Sequence, residues 1–61
     1  MGLILTPNLP DPDGVYAAIL AAHKGLSSAD SQALNARLVL ILSNHIGDAA
    51  VLQAALALAK S

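Results

Sequence analysis

The hydrophobic positions of this 61-residue chain recur with helical spacing in three segments. In the first segment Val15, Ile19 and Ala22 fall at i, i+4 and i+7, which places them on one face of a helix. The second segment begins amphipathic and then becomes apolar on every side, and the third consists mainly of alanine and leucine. We therefore predict an all-α fold with three short helices, at about residues 12–24, 28–44 and 49–60.

Five consecutive apolar residues, Leu38 to Leu42, stand in the second segment. A short run of this kind is compatible with a buried strand as well as with a helix. The flanking residues favour the helix, because they carry helix-capping signals and lack the Gly and Pro that usually bound a strand.

Residues suited to helix ends flank each predicted helix. Asp and Ser side chains accept hydrogen bonds from the first free N–H groups of a helix, and Gly adopts the left-handed conformation that ends one. Ser27 followed by Asp30 resembles a shortened capping box. The predicted structural caps are Asp11, Gly25, Ser27, Gly47 and Asp48.

Residues 1–10, MGLILTPNLP, are expected to form an extended arm ahead of a single three-helix domain at 11–61. Pro7 and Pro10 fix their own φ angles and bias the preceding residues toward extended conformations. The leucines of the arm need an apolar surface to lie on. That surface is either the helices of the same chain or a partner, and both alternatives stay open.

The composition indicates more apolar surface than so short a chain can bury. It is 56% hydrophobic and 11% charged, whereas average domains carry about 25% charged residues. A helix that is apolar on every side is normally buried on every side, and we expect the first and third helices to cover only about two-thirds of the second. We therefore predict a protein partner, either a second copy or a larger enzyme subunit, contacted through Leu3, Leu5, Arg37, Leu38, Leu40, Ile41, Leu42, His45, Leu52 and Leu56.

Arg37, directly before the apolar run, has two possible roles. One is an ordinary surface ion pair, although Asp30 is too distant in sequence for the usual i, i+4 spacing. The other is a bidentate contact with a carboxylate of the partner.

The segment SNHIGD, residues 43–48, is the candidate chemical site. His45 and Asp48 are spaced as a metal-binding or acid–base pair if both lie on one helix. However, the predicted helix break falls between them, and nothing in the sequence brings His23 to the same place as a third ligand. We therefore predict a structural elbow with no metal, no cofactor and no catalytic residue, and we do not expect an enzyme.

Several other classes of function are disfavoured. Lys24, Arg37 and Lys60 are dispersed along a chain of net charge −1, whereas nucleic-acid binding needs clustered cations. A small helix-turn-helix regulator is the alternative hypothesis, but its third helix would offer only Gln53 and Lys60 for reading bases. No apolar run reaches the about 20 residues that span a membrane, and the start MGLILT matches a myristoylation pattern only loosely. A cytoplasmic location is expected.

Four motifs along the chain resemble a family of short bacterial proteins of unknown function: DPD at 11–13, AAHKGLS at 21–27, LNARL at 34–38 and NHIGD at 44–48. The likeness extends from Pro7 to Ala59. The genes of that family often lie near flavoprotein hydroxylases of aromatic-compound catabolism. The resemblance therefore implies a small accessory subunit, and it assigns no catalytic residue.

Overall fold

The computed structural model describes residues 2–61, and within them it contains three helices and no strand. The helices are α1 at Pro12–His23, α2 at Ser28–Ile46 and α3 at Ala49–Lys60. The predicted all-α class with three helices is confirmed. Met1, the first residue of the predicted arm, lies outside the described residues, and residues 2–11 form neither helix nor strand.

Helix α1 begins at an aspartate cap. The Asp11 Oδ1 atom accepts a hydrogen bond from the Gly14 N–H at 3.0 Å. Pro12 takes the first helical position, where a backbone N–H would have no partner within the helix, so its missing N–H costs nothing. A Cβ at residue 14 would overlap the Asp11 carboxylate, so glycine leaves room for this cap. The helix ends at His23, one residue before the predicted end, because Lys24 turns to an extended conformation.

Helix α2 is longer than predicted. Its first turn is capped by Ser27, whose Oγ accepts from the Asp30 N–H at 3.1 Å. The helix continues to Ile46, two residues beyond the predicted end at about Asn44. It ends there because Gly47 adopts a left-handed φ of 67° and donates its N–H to the Ser43 carbonyl at 3.0 Å.

Helix α3 starts immediately after this turn. The Asp48 Oδ1 atom accepts from the N–H groups of Ala50 and Val51, at 3.0 and 3.2 Å. The chain therefore changes direction between α2 and α3 over two residues, Gly47 and Asp48. This short connection brings the start of α3 against the end of α2.

The three helices pack against one another only weakly. Among the described residues, α2 and α3 form the closest pair, and Val51, 8% exposed, is the one buried hydrophobic residue. The radius of gyration is 13.2 Å, compared with about 10.5 Å expected for a compact chain of this length. The helices of one chain thus do not enclose a core.

The apolar run of α2 is less covered than its sequence indicates. Leu40 and Ile41 are 71% and 65% exposed, and Val39 and Leu42 are about half exposed. Ile46, at the end of α2, is 39% exposed. The expected two-thirds coverage is not reached, because α1 does not pack closely on α2 and α3 contacts it mainly near the elbow.

The cap at Asp48 yields a stability prediction. Replacing Asp48 by Ala removes the acceptor for two N–H groups and should lower the free energy of unfolding by about 0.5 to 2 kcal/mol. Asp48→Asn, which keeps an acceptor oxygen, should lose less. Urea denaturation at one fixed protein concentration measures both, and equal losses for the two variants would show that the cap does not carry the effect.

Candidate interaction surface

A concave surface lies between α1 and α2. Its volume is about 740 Å³, and it is lined by Val15, Ala18, Ile19, Ala22, Leu26, Asp30, Leu34, Arg37, Leu38 and Ile41. Leu26 lies in the connection between the helices, and the other lining residues recur with helical spacing, so each helix contributes one face. We call this surface the α1–α2 groove.

Two opposite charges lie in this otherwise apolar groove. Asp30 and Arg37 belong to the same face of α2, seven residues or about 10 Å apart along the helix axis. The predicted capping box is only half formed: the Ser27 Oγ accepts from the Asp30 N–H, but among the described residues the Asp30 carboxylate accepts no hydrogen bond from the Ser27 N–H. Both charged groups are therefore available to a molecule that lies along the groove.

A second, smaller concave surface lies between α2 and α3. Its volume is about 260 Å³, and its lining residues are Val39, Leu42, Ser43, Ile46, Leu52, Ala55, Leu56 and Ala59. The Ser43 hydroxyl donates to the Val39 carbonyl at 2.6 Å, so this polar group is already satisfied within the helix. We call this surface the α2–α3 groove, and apolar contact is what it offers.

The predicted interface residues divide between these two surfaces. Arg37, Leu38 and Ile41 line the α1–α2 groove, whereas Leu42, Leu52 and Leu56 line the α2–α3 groove. The other four line neither groove: Leu5 is 74% and Leu40 71% exposed, His45 is exposed and Leu3 is half-buried. Their contact with a partner stays a prediction.

The sequence reasoning missed most of the α1–α2 groove. The sequence predicts that Val15, Ile19 and Ala22 form an apolar face of α1, but the predicted interface does not include them. From the sequence, Asp30 is interpreted as a capping residue and as too distant from Arg37 for an i, i+4 ion pair, so the two charges are not assigned to one surface. The spacing of seven from Asp30 to Arg37, with Leu34 between them, was the signal that the three residues share a face.

The SNHIGD segment forms a helix junction. His45 lies in the last turn of α2, whereas Asp48 lies beyond Gly47 at the start of α3, with its carboxylate engaged in the cap. Within residues 2–61, no three His, Cys, Asp or Glu side chains come together as metal ligands would. The arrangement gives Asp48 a structural role and leaves His45 on the surface.

The stretch from Gly2 to Ser61 holds no helix that combines the length and the apolarity needed to cross a membrane. Helix α2 is the longest, at 19 residues, but both of its ends are polar.

Comparison with known proteins places the chain in a family without naming an activity. A family model described as "Protein of unknown function (DUF2783)" matches residues 3–61, and the chain belongs to this family. No curated protein and no solved structure matches it.

The separation of His45 from Asp48 yields a prediction about metal. Because α2 ends between these residues, we expect the melting temperature of untagged protein to be the same with and without a strong chelator. His45→Ala should likewise change the melting temperature by less than the Asp48→Ala variant does. Stoichiometric zinc in the purified protein, or a melting temperature that falls on chelation, would show that SNHIGD forms a metal site and not only a structural elbow.

Proposed function

We propose that this member of a family of unknown function is a small non-catalytic helical subunit that binds another protein chain through the grooves of α2. The observation that carries the proposal is the apolar surface left uncovered by the three helices. Fifteen large hydrophobic residues among those described are exposed, and a single one is buried. Burial of contiguous apolar surface is the main driving force of protein association.

The total surface supports this reading quantitatively. The chain exposes 5138 Å², whereas a folded monomeric protein of 6.1 kDa exposes about 3,650 Å². The difference is about 1,500 Å², and exposed large hydrophobic residues lie both in the arm and on the helices. A surface of this size corresponds to one side of a substantial protein–protein interface.

The short length of α1 and α3 also supports the proposal that another chain binds here. Helices of 12 residues such as α1 and α3 are marginal in water on their own, and most of their stability in proteins comes from packing of an apolar face. In this chain that packing is nearly absent around α1. A partner that fills the α1–α2 groove would supply the missing contacts.

The partner is either a second copy of the chain or a larger protein. The narrower form of the proposal, which rests on the sequence resemblance, is a flavin-dependent aromatic hydroxylase as the larger partner in a bacterial cytoplasm. Co-expression with neighbouring hydroxylase genes, followed by purification through the hydroxylase, tests that form directly.

A substitution inside the α1–α2 groove should impair assembly. Ile41→Asp places a carboxylate where the partner would bury it, and a buried unpaired charge costs several kcal/mol. We therefore expect Ile41→Asp to shift the chain toward the 6.1 kDa monomer in native mass spectrometry. Gln53→Asp adds the same charge at an exposed position outside both grooves and should leave assembly unchanged.

The behaviour of the unmodified chain decides the proposal itself. Binding to the folded state makes the melting temperature depend on protein concentration, or on the concentration of an added partner. A stable monomer that melts cooperatively at one temperature across a hundredfold range of concentration would contradict the proposal, because the folding of such a chain would not depend on a partner covering its apolar surface.

A further inference from the structure

We propose that the occupant of the α1–α2 groove is a second copy of this chain, with the two α2 helices antiparallel and Asp30 of each facing the partner's Arg37. This inference rests on the proposed function and names its partner. The twofold axis crosses α2 midway between Ala33 and Leu34. The two α1 helices then enclose the pair, which gives four helices around one shared core.

The opposite charges of Asp30 and Arg37 make the groove face of α2 complementary to a second, antiparallel copy of itself. The twofold axis that pairs them passes through their midpoint, between Ala33 and Leu34. In an antiparallel pair each carboxylate therefore meets a guanidinium of the other chain, and the same ion pair forms twice. A parallel pair would place Asp30 beside Asp30 and Arg37 beside Arg37, which is repulsive.

The apolar positions of the groove agree with the same register. Leu26, in the connection just before α2, and Ile41 line opposite ends of the groove, so the antiparallel direction brings the Leu26 end of one copy to the Ile41 end of the other. Leu34, which lines the groove, stands half a residue from the axis, so the Leu34 side chains of the two copies meet beside it. In an isologous interface, if residue i of one copy contacts residue j of the partner, then residue j of the first copy also contacts residue i of the partner. The interface must therefore be self-complementary.

The area left uncovered suits a dimer. If most of the surplus surface of each chain is buried, the pair buries on the order of 2,000 to 3,000 Å² in total, which is the range of obligate homodimers. Such interfaces are more apolar than transient ones. The groove meets this description, since Asp30 and Arg37 are its two charged residues and alanine, valine, leucine and isoleucine form the rest.

Charge exchange tests the pairing. Asp30→Arg and Arg37→Asp each place two like-charged pairs in the dimer, so each variant alone should dimerise about tenfold more weakly than the unmodified chain. In a one-to-one mixture both pairs become complementary again, and a heterodimer of wild-type affinity should form. Gln53→Arg, outside both grooves, should leave the dissociation constant unchanged.

Native mass spectrometry of isotopically distinguished chains reads out the mixture, and circular dichroism shows that each variant keeps its helices. The pairing would be overturned if a variant dimerised as tightly as the unmodified chain, or if the mixture dimerised no more tightly than its separate components.

Added salt provides a measurement without substitution. It should weaken the unmodified dimer, and a dimer strengthened by salt would contradict opposite charges at the interface.

Spin labels test the direction of the helices. The chain has no cysteine, so Asn44→Cys provides a unique attachment point in the last turn of α2. An antiparallel pair about the proposed axis separates the two labels by about 32 Å along the helix, whereas a parallel pair brings them to about 10 Å. The shorter distance would overturn the proposed arrangement.

These results also separate this inference from the proposed function. A chain that is monomeric and unstable alone, but stabilised by a different protein, would overturn the second copy as occupant and leave the interaction role intact. A stable monomer would overturn both.

Discussion

The structure depends on one constraint: α2 carries more apolar surface than α1 and α3 can cover. Helix α2 has 19 residues and its middle is apolar on every side, while each neighbour has 12. Helix α3 meets α2 near the elbow, where Val51 becomes buried, whereas α1 leaves an open groove between itself and α2. Burial of apolar area is the dominant favourable term in folding, so the uncovered part of α2 governs both the stability and the behaviour of this chain.

The two connections between the helices determine where that surface is left. At the second connection, Gly47 ends α2 and Asp48 caps α3, so that α3 turns back at once and contacts α2. At the first, Lys24 and Gly25 separate α1 from the Ser27 cap, and α1 does not pack closely on α2. The open α1–α2 groove is the consequence, and among the described residues that line it two are charged, Asp30 and Arg37.

The helices could be predicted from the sequence because their signals are local. Asp11, Ser27 and Asp48 act within three residues of their own positions, and the helical spacing of apolar residues needs no knowledge of the rest of the chain. The end of α2 was placed too early because Asn44 and Gly47 both suit a helix end, and the left-handed turn forms at Gly47. The α1–α2 groove could not be predicted in the same way. It depends on the angle between two helices, which the four residues joining them do not encode in their side chains.

The most direct test of the central claim is hydrogen exchange of the backbone amides of α2 at low and high protein concentration. Amides in the middle of α2, at residues 34–41, should exchange rapidly in dilute solution and become protected as the concentration rises, because another chain then covers the groove. Strong protection of these amides that does not depend on concentration or on an added partner would show that a single chain stabilises α2 unaided, and it would contradict the account.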